Sequence, residues 1–590
     1  MQKENTMHKQ IYISILSIIG VCQLGVSQEK DKNDIGTETV TVTKAYTPTV
    51  SDAFKIKSMP NLNDSIVLQK KKINYNIFSV PVASTFTPAK GKATEVQKAK
   101  PEKLYNSYLA LGLGNYNNAM LDFYTSRAFN RDERLDIGLN HFSSRGDIDG
   151  TVLDNDFYNT KLDASYSKKD RDVSWGTNIG LQHQIYNWYG IPEGAFPDAV
   201  VAGIDSKQNY YNAELGANVK VNDALFKGAD LLLRRFWDVT DSGENRFKFQ
   251  PVFEFPLTDQ SLTISGNFDY VGGAFKNADV NNSNNTGDIN YGHFQVGVSP
   301  SLLIVSDDVR INLGANIVYG MDTENSESNF YIYPAVTASY RVLDENVIAY
   351  GGIKGDLKQN SFYDFVGDNP FVSPTLTITP TDRQYDAYIG LKGMLLPSLS
   401  YNFKGSYTAE NRKPLFKLNP SNDFRNDEKG YYYGNSFEVF YDDIKTLGIF
   451  GELNLDINRN FSLGINAEIY DYDTETDNPA WNLPNMTGSL FMDYQIDEHW
   501  YMGANIFYVG EREDLSSQVV QNVQPSQYPS TIITLDGYFD ANAHMGYRFN
   551  EQFSVFLKLS NIANNDYQRW ANYPVQGFQA LAGFKYKFDF

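Results

Sequence analysis

The sequence predicts an all-β fold: a transmembrane antiparallel β-barrel of about 22 strands behind a short N-terminal periplasmic or lumenal extension. From Tyr105 onward, segments of roughly 9–15 residues alternate in polarity, as strands with one apolar face do. The breaks between them alternate between short and long, which is typical of bacterial outer-membrane barrels. After the N-terminus there is no apolar run of roughly 20 residues, so a helical membrane protein is excluded.

The composition favours a membrane barrel over a soluble enzyme. The chain of 590 residues contains 40 Tyr and 38 Phe but only 6 His and 1 Cys, with a mean hydropathy of −0.42. Aromatic residues in such numbers suit the girdles at the two membrane interfaces. The net charge of −20 argues against a nucleic-acid partner, which would need a basic surface.

Residues 1–27 have the features of a cleavable signal peptide. Lys9 precedes the apolar run 11–24, and Gly25-Val26-Ser27 supplies small residues for cleavage. We therefore expect export, with the mature chain starting near Gln28. The alternative is lipidation at Cys22, although Val21 stands where a lipoprotein signal normally has a small residue.

The mature chain divides into two regions of different composition. Residues 28–103 contain about 13 Lys against 8 acidic residues, together with five Pro, and they alternate only weakly. We predict that they form the extension. Residues 104–590 are acidic and strand-rich, and they are predicted to form the barrel.

The strand count depends on residues 436–457. Counted as one strand with a bulge near Asp442 and Asp443, they give about 22 passes, and counted as two they give about 23. Closure of a single-chain bacterial barrel favours the even number, because both chain ends then lie on one side. A soluble β-sandwich would also alternate, but it does not account for the export signal and the two sorted classes of break.

The last strand shows the two faces most clearly. Phe578, Phe584, Tyr586, Phe588 and Phe590 fall on one face together with two Ala, while Lys and other polar residues fall on the opposite face. We predict that the aromatic face lies against lipid.

Two stretches resemble TonB-dependent outer-membrane receptors. Residues 37–43, Thr-Glu-Thr-Val-Thr-Val-Thr, resemble the TonB box, the extended motif that adds a strand to TonB. Residues 555–567 resemble the penultimate strand of the family, and its closing strand also ends in phenylalanine. The resemblance implies TonB contacts at Thr39, Val40, Thr41, Val42 and Thr43, and a barrel-assembly signal at Phe588 and Phe590.

The N-terminal region departs from this family. Its receptors carry a folded plug of well over a hundred residues, whereas residues 44–103 leave space for only about sixty. The lumen would then be closed by the basic extension and the chain's own loops, filled by a partner, or left open. We expect a reduced or missing plug domain.

The long breaks carry aromatic residues that we expect to be exposed on extracellular loops and to contact substrate. The alternative is that they belong to the membrane girdle or pack within the loops. The candidate substrate-binding residues are Trp188, Tyr189, Phe362, Tyr363, Trp481 and Trp570.

Neither a metal site nor catalysis is predicted. Asp147, Asp149, Asp154 and Asp156 resemble a calcium loop, but Val152 stands where the EF-hand pattern needs Gly. The few histidines fall in no catalytic motif. We therefore expect no metal, no cofactor and no enzymatic activity.

The sequence thus predicts a receptor-like barrel that binds or transports a solute across a Gram-negative type outer membrane. The expected partners are outer-membrane lipid, TonB and other envelope proteins. The alternative is a non-transporting structural subunit of an outer-membrane protein complex.

Overall fold

A computed structural model describes residues 103–146, 148–257, 260–279, 286–421, 429–517 and 529–590. The signal peptide, the TonB-box segment and all of the extension except Lys103 lie outside the described residues, as does Asp147. None of the helices in these ranges is long and apolar enough to cross a membrane.

The described chain contains 26 strands and two short helices. The strands are Ser107–Gly114 (β1), Ala119–Ala128 (β2), Glu133–Ser144 (β3), Phe157–Lys169 (β4), Val173–Asn187 (β5), Lys207–Val221 (β6), Phe226–Asp238 (β7), Gly243–Leu257 (β8), Gln260–Asp279 (β9), Thr286–Val305 (β10), Val309–Asp322 (β11), Glu327–Leu343 (β12), Val347–Lys358 (β13), Thr381–Leu396 (β14), Leu399–Leu418 (β15), Phe437–Asn458 (β16), Phe461–Thr474 (β17), Met486–Gln495 (β18), Trp500–Val509 (β19), Arg512–Ser517 (β20), Ser530–Leu535 (β21), Tyr538–Arg548 (β22), Phe553–Ser560 (β23), Gln568–Trp570 (β24), Tyr573–Pro574 (β25) and Gln579–Phe588 (β26). The helices are Asp198–Val201 (α1) and Phe362–Asp368 (α2).

Twenty-two of these strands form one closed antiparallel barrel, as the sequence predicts. Successive strands pair with each other around the ring, and β19 pairs with β22 across the β20–β21 hairpin. β23 pairs with β26, and β26 pairs with β1 with Ser107 opposite Phe588. The ring has no free edge, which lets every strand complete its backbone hydrogen bonds inside a membrane.

The bulge predicted near Asp442 and Asp443 lies on the neighbouring strand. β16 is continuous, and the register shift falls between Glu410 and Lys413 of β15. Arg412 has a φ of 55°, and its backbone N–H donates to Asp443 Oδ1 at 2.7 Å. The even strand count is confirmed, but the extra residue belongs to β15 because Arg412 takes the left-handed conformation there.

Along the strands, residues alternate between the outer face of the barrel and the lumen, as the two-residue period of a strand requires. Large apolar residues face outward; Ile389 and Ile449, for example, are 75% and 62% exposed. In β26, Phe584 and Tyr586 are exposed whereas Leu581 is buried. The predicted lipid-facing side of the closing strand is therefore the outer side of the barrel.

Connections at one end of the barrel are short turns, and several at the other end are long loops. Both chain ends of the barrel, at β1 and β26, lie at the short-turn end. The long loops span residues 145–156, 188–206, 359–380, 419–436, 475–485, 510–537 and 561–578.

Candidate functional site

The described parts of six long loops, all except 145–156, pack over and into the mouth of the barrel, and we call these six loops the cap. Val152 and Leu153 of loop 145–156 pack against Ile191, Phe196 and Tyr433 of the cap. The apolar side chains of the cap are buried in three clusters, and the largest joins several of these loops to the loop-side ends of the strands. It includes Tyr210, Phe236 and Phe275 from the barrel wall and Phe362, Phe365 and Val372 from residues 359–380, each at most 4% exposed. Loops with a buried apolar core are held by the same burial that stabilises a domain.

Tyr573 joins four loops of the cap. Its ring stacks on Phe371, with 3.9 Å between the centroids, and packs edge-on against Tyr189 at 4.7 Å. Its hydroxyl donates to the backbone carbonyl of Asn435, and the Asn435 side chain donates to the carbonyl of Trp188 at 2.6 Å. The Tyr573 ring also packs directly on Gly190, leaving no space for a Cβ there.

Residues 359–380, which we call the crossing segment, run across the lumen inside the mouth. They leave the barrel at β13 and return at β14, yet Phe371 contacts Tyr186 of β5 and the carbonyl of Pro370 accepts from Tyr210 of β6 at 2.9 Å. β5 and β6 lie eight strands from β13 and β14 in a ring of 22. The segment therefore reaches most of the way to the opposite wall.

Two residues of β8 hold the helix of the crossing segment. Glu244, 1% exposed, accepts from the backbone N–H groups of Phe362 at 2.6 Å and Tyr363 at 3.4 Å. Arg246 forms a two-pronged ion pair with Asp269 of β9, at 3.0 and 2.9 Å, and a further pair with Asp364 of α2 at 3.3 Å. Bidentate pairing fixes the guanidinium as well as neutralising it.

A polar chamber of about 1070 Å³ lies beneath the crossing segment. Its wall carries amide side chains such as Gln250, Asn267 and Gln295, and Tyr363, Trp481 and Trp570 also line it. Its charged lining comprises four basic and five acidic residues. Several are paired, among them Arg246 with Asp269 and Lys413 with Glu410, so the chamber has no excess of positive charge.

Asp514 links the loops beside this chamber. Its side chain is fully buried and accepts from the backbone N–H of Leu418 at 2.9 Å and from Asn482 Nδ2 at 2.8 Å. Burial raises the pKa of Asp514 to about 6, although these donors act in the opposite direction.

The predicted exposure of the loop aromatics is wrong for most of them. Trp188, Phe362 and Trp481 are only 2%, 1% and 3% exposed. Tyr189, Tyr363 and Trp570 are partly buried against the cap core. These side chains pack within the loops, which is the alternative stated in the sequence analysis. They do so because the loops fold into the mouth instead of extending into solvent. Tyr363, Trp481 and Trp570 still line the chamber, and substrate contact by them stays a prediction.

Sequence reasoning did not single out Glu244, Arg246 or Asp514. The period of two places Glu244, Arg246 and Lys248 on the lumen side of β8, so a run of long polar side chains at every second position was the available signal. The partners of Glu244 and Arg246 on the crossing segment are 118 residues away along the chain, and no local pattern indicates them.

Among the residues that the structure describes, no group of three or more His, Cys, Asp or Glu is placed to hold a metal ion. Asp156 of the candidate calcium loop instead accepts from Asn187 Nδ2 at 2.9 Å. The predicted assembly residues Phe588 and Phe590 end the barrel at the short-turn side, and Phe590 is 76% exposed.

Together, the closed ring of 22 strands, its apolar outer face and its capped polar lumen define a transmembrane β-barrel. No protein-family model matches the chain, and no curated protein matches it. Solved structures do match. The FrpB iron transporter from Neisseria meningitidis has a TM-score of 0.63 at 11% identity, covering 83% of this chain and 82% of that one.

Two further structures are similar to the same extent. The siderophore receptor PirA from Acinetobacter baumannii has a TM-score of 0.60 at 13% identity, covering 82% of this chain and 80% of that one. The pyoverdine outer membrane receptor FpvA from Pseudomonas aeruginosa has a TM-score of 0.60 at 12% identity, covering 83% and 80%. The resemblance predicted from the sequence is thus confirmed at the level of the fold.

Proposed function

We propose that this protein is an outer-membrane receptor that takes up a solute through the chamber beneath its cap. The observation that carries the proposal is the arrangement of a closed mouth over a polar chamber in a 22-stranded barrel. Barrels of this width enclose space enough for a ligand or a plugged passage. Solved barrels of the same fold are named as receptors or a transporter, which supports this function class.

The lining of the chamber supports an uncharged, hydrogen-bonding solute. Its basic side chains do not outnumber its acidic ones, and Arg246 is already paired with two carboxylates. Lys248 and Lys358 make no ion pair within the described chain, but the five acidic residues of the same lining oppose the binding of an anion. Amide side chains can donate and accept hydrogen bonds without favouring either sign of charge.

Energised uptake would depend on Thr39, Val40, Thr41, Val42 and Thr43 as the strand offered to TonB. The test replaces Val40 and Val42 with Pro, which removes backbone N–H donors from any added strand. Uptake of an uncharged oligosaccharide, an anionic ferric chelate and a cationic peptide is compared in cells carrying either form. Replacement of both residues by Ile, which keeps the donors, is the matched control.

We expect the proline variant to lose uptake of the oligosaccharide while the barrel still assembles. If uptake of all three probes is the same in the proline and isoleucine variants, energised transport is the wrong function. Processing at the predicted signal is tested separately, by N-terminal sequencing of the mature protein, which we expect to begin near Gln28.

A structural subunit of an envelope complex is the second candidate, and the extensively buried core of the cap favours it. A barrel whose mouth is closed by such a core could serve as a structural subunit without transporting any solute. Purification in mild detergent separates the two functions. A stoichiometric partner protein together with an absence of uptake would favour the subunit.

A further inference from the structure

We propose that the crossing segment, residues 359–380, is a gate across the lumen, and that Glu244 and Arg246 are the positioning residues that hold it shut. This inference does not depend on TonB or on the identity of any solute. It concerns which part of the chain blocks the mouth and what keeps it there.

The segment is attached in a way that allows it to leave without damage to the barrel. Wall side chains bind its backbone: Tyr210 Oη donates to the carbonyl of Pro370, Tyr441 Oη donates to that of Thr377 at 3.0 Å, and His293 Nε2 bonds to that of Ile378 at 2.7 Å. A short backbone bridge at Val372 adds two bonds to Phe437, at 2.9 and 3.1 Å. These bonds are separate from the ladders that close the ring. Breaking them would leave every pairing of the 22 strands intact.

Glu244 is suited to hold the segment reversibly. Within the described chain its carboxylate makes no ion pair, and its contacts are the N–H groups of Phe362 and Tyr363 and the hydroxyl of Tyr291 at 2.8 Å. Two of these three donors belong to the segment. Release would cost those two bonds, but it would also return a buried carboxylate to water, which compensates for part of the loss.

Arg246 divides its bonds between the wall and the segment. Its pairing with Asp269 stays within neighbouring strands, whereas its pairing with Asp364 joins β8 to α2. The guanidinium therefore keeps a partner when the segment leaves. Asp364 is the partner that moves, and its side chain is already 44% exposed.

The closed arrangement also leaves polar atoms without partners at this interface. Gln359 Nε2 and Asn369 Nδ2, both on the segment, and Trp481 Nε1 beside it are buried without a hydrogen bond in the described chain. Such groups are costly when buried and gain a partner on exposure to water. They lower the difference in free energy between the closed and open arrangements.

The test uses the full-length protein with two readouts: hydrogen exchange of the amides of Phe365 and Asn369, and conductance of single barrels in planar bilayers in potassium chloride. In the Glu244→Ala variant we expect exchange of these amides to rise at least about tenfold and conductance to rise several-fold. Asp136→Ala, which removes another carboxylate bonded to Tyr124 and Arg134, is the matched control and should change neither readout.

A second variant makes the same test without removing a buried carboxylate. The double substitution Tyr210→Phe and Tyr441→Phe keeps both rings but removes two tethers of the segment, and we expect it to raise both readouts. If exchange rises while conductance stays at the wild-type value, the segment is not the gate. If neither readout changes in an assembled variant, these residues do not hold the segment. Each of these two outcomes would overturn the proposal.

Discussion

The rings of Phe371 and Tyr573 stack with 3.9 Å between their centroids and 25° between their planes. Phe371 belongs to the crossing segment between β13 and β14, whereas Tyr573 belongs to the loop between β23 and β26, a third of the way around the barrel. The two loops meet over the lumen because each turns inward. The contact makes the cap one packed body instead of separate surface loops.

Replacing Tyr573 with Ala should loosen the cap without opening the ring of strands. Removing a fully buried aromatic side chain costs about 3–5 kcal/mol. Hydrogen exchange of residues 188–206 and 359–380 should therefore rise together. Tyr573→Phe, which loses only the bond to the carbonyl of Asn435, should cost about 1 kcal/mol. Equal exchange in the Ala and Phe variants would contradict the central position of this ring.

Gly190→Ala should also destabilise the cap, because Gly190 packs directly against the ring of Tyr573. A Cβ at this position would overlap the Tyr573 ring, so either the ring or the loop has to shift. Overpacking of this kind typically costs about 1–3 kcal/mol. Limited proteolysis of the 188–206 loop is the measurement, with Gly203→Ala in the same loop as the control because a Cβ there makes only ordinary contacts, the nearest at 3.5 Å. The prediction fails if both variants are cleaved at the same rate.

The stability of the cap should decrease as the pH rises from about 4 to about 6. The folded chain raises the pKa of Asp514 to about 6 from 3.8, so it binds this proton more tightly than the unfolded chain does. The stabilisation is then complete below about pH 4 and is lost as Asp514 ionises, an effect on the order of 2–3 kcal/mol. Hydrogen exchange corrected for the intrinsic rate measures it, and Asp514→Asn should reduce the dependence by this amount. A wild-type cap equally stable at pH 4 and pH 7 would argue against this assignment.

Deleting Phe590 should reduce assembly of the barrel more than its stability. The side chain is 76% exposed, so little burial is lost from the folded state. If it acts as an assembly signal, the fraction of heat-modifiable barrel in cells should fall, whereas the melting temperature of the assembled fraction should stay close to that of the wild type. Phe549→Ala, also exposed and at the short-turn end, is the control. Assembly equal to that of this control would exclude the role.

The barrel could be predicted from the sequence because its rules are local. Alternation along β26 predicts that Phe584 and Tyr586 face outward, and no knowledge of their partners is needed. Counting the breaks, together with the requirement for an even number, predicts the number of strands. The cap could not be predicted in this way. Phe362 binds Glu244 through its backbone across 118 residues of sequence, and neither residue type at either position indicates the other.

The same limit explains the error about the loop aromatics. Trp188 and Trp481 stand in long polar breaks, where aromatic residues are expected to face solvent or the membrane rim. Whether a loop extends outward or folds back depends on the packing contacts that it can make with the other loops. Here Tyr431 packs against Trp188 at 5.2 Å and Leu415 packs with Trp481, which turns both side chains inward.

The pairing of Ser107 with Phe588 means that the ring can close only after β26, the last of its 22 strands along the sequence, has been made. A product that ends early would present two unpaired strand edges, one at β1 and one at its own last strand. Each unpaired backbone group costs several kcal/mol in lipid, which disfavours insertion of such a product into a membrane. β1 can therefore complete its pairing only in a chain that contains β26.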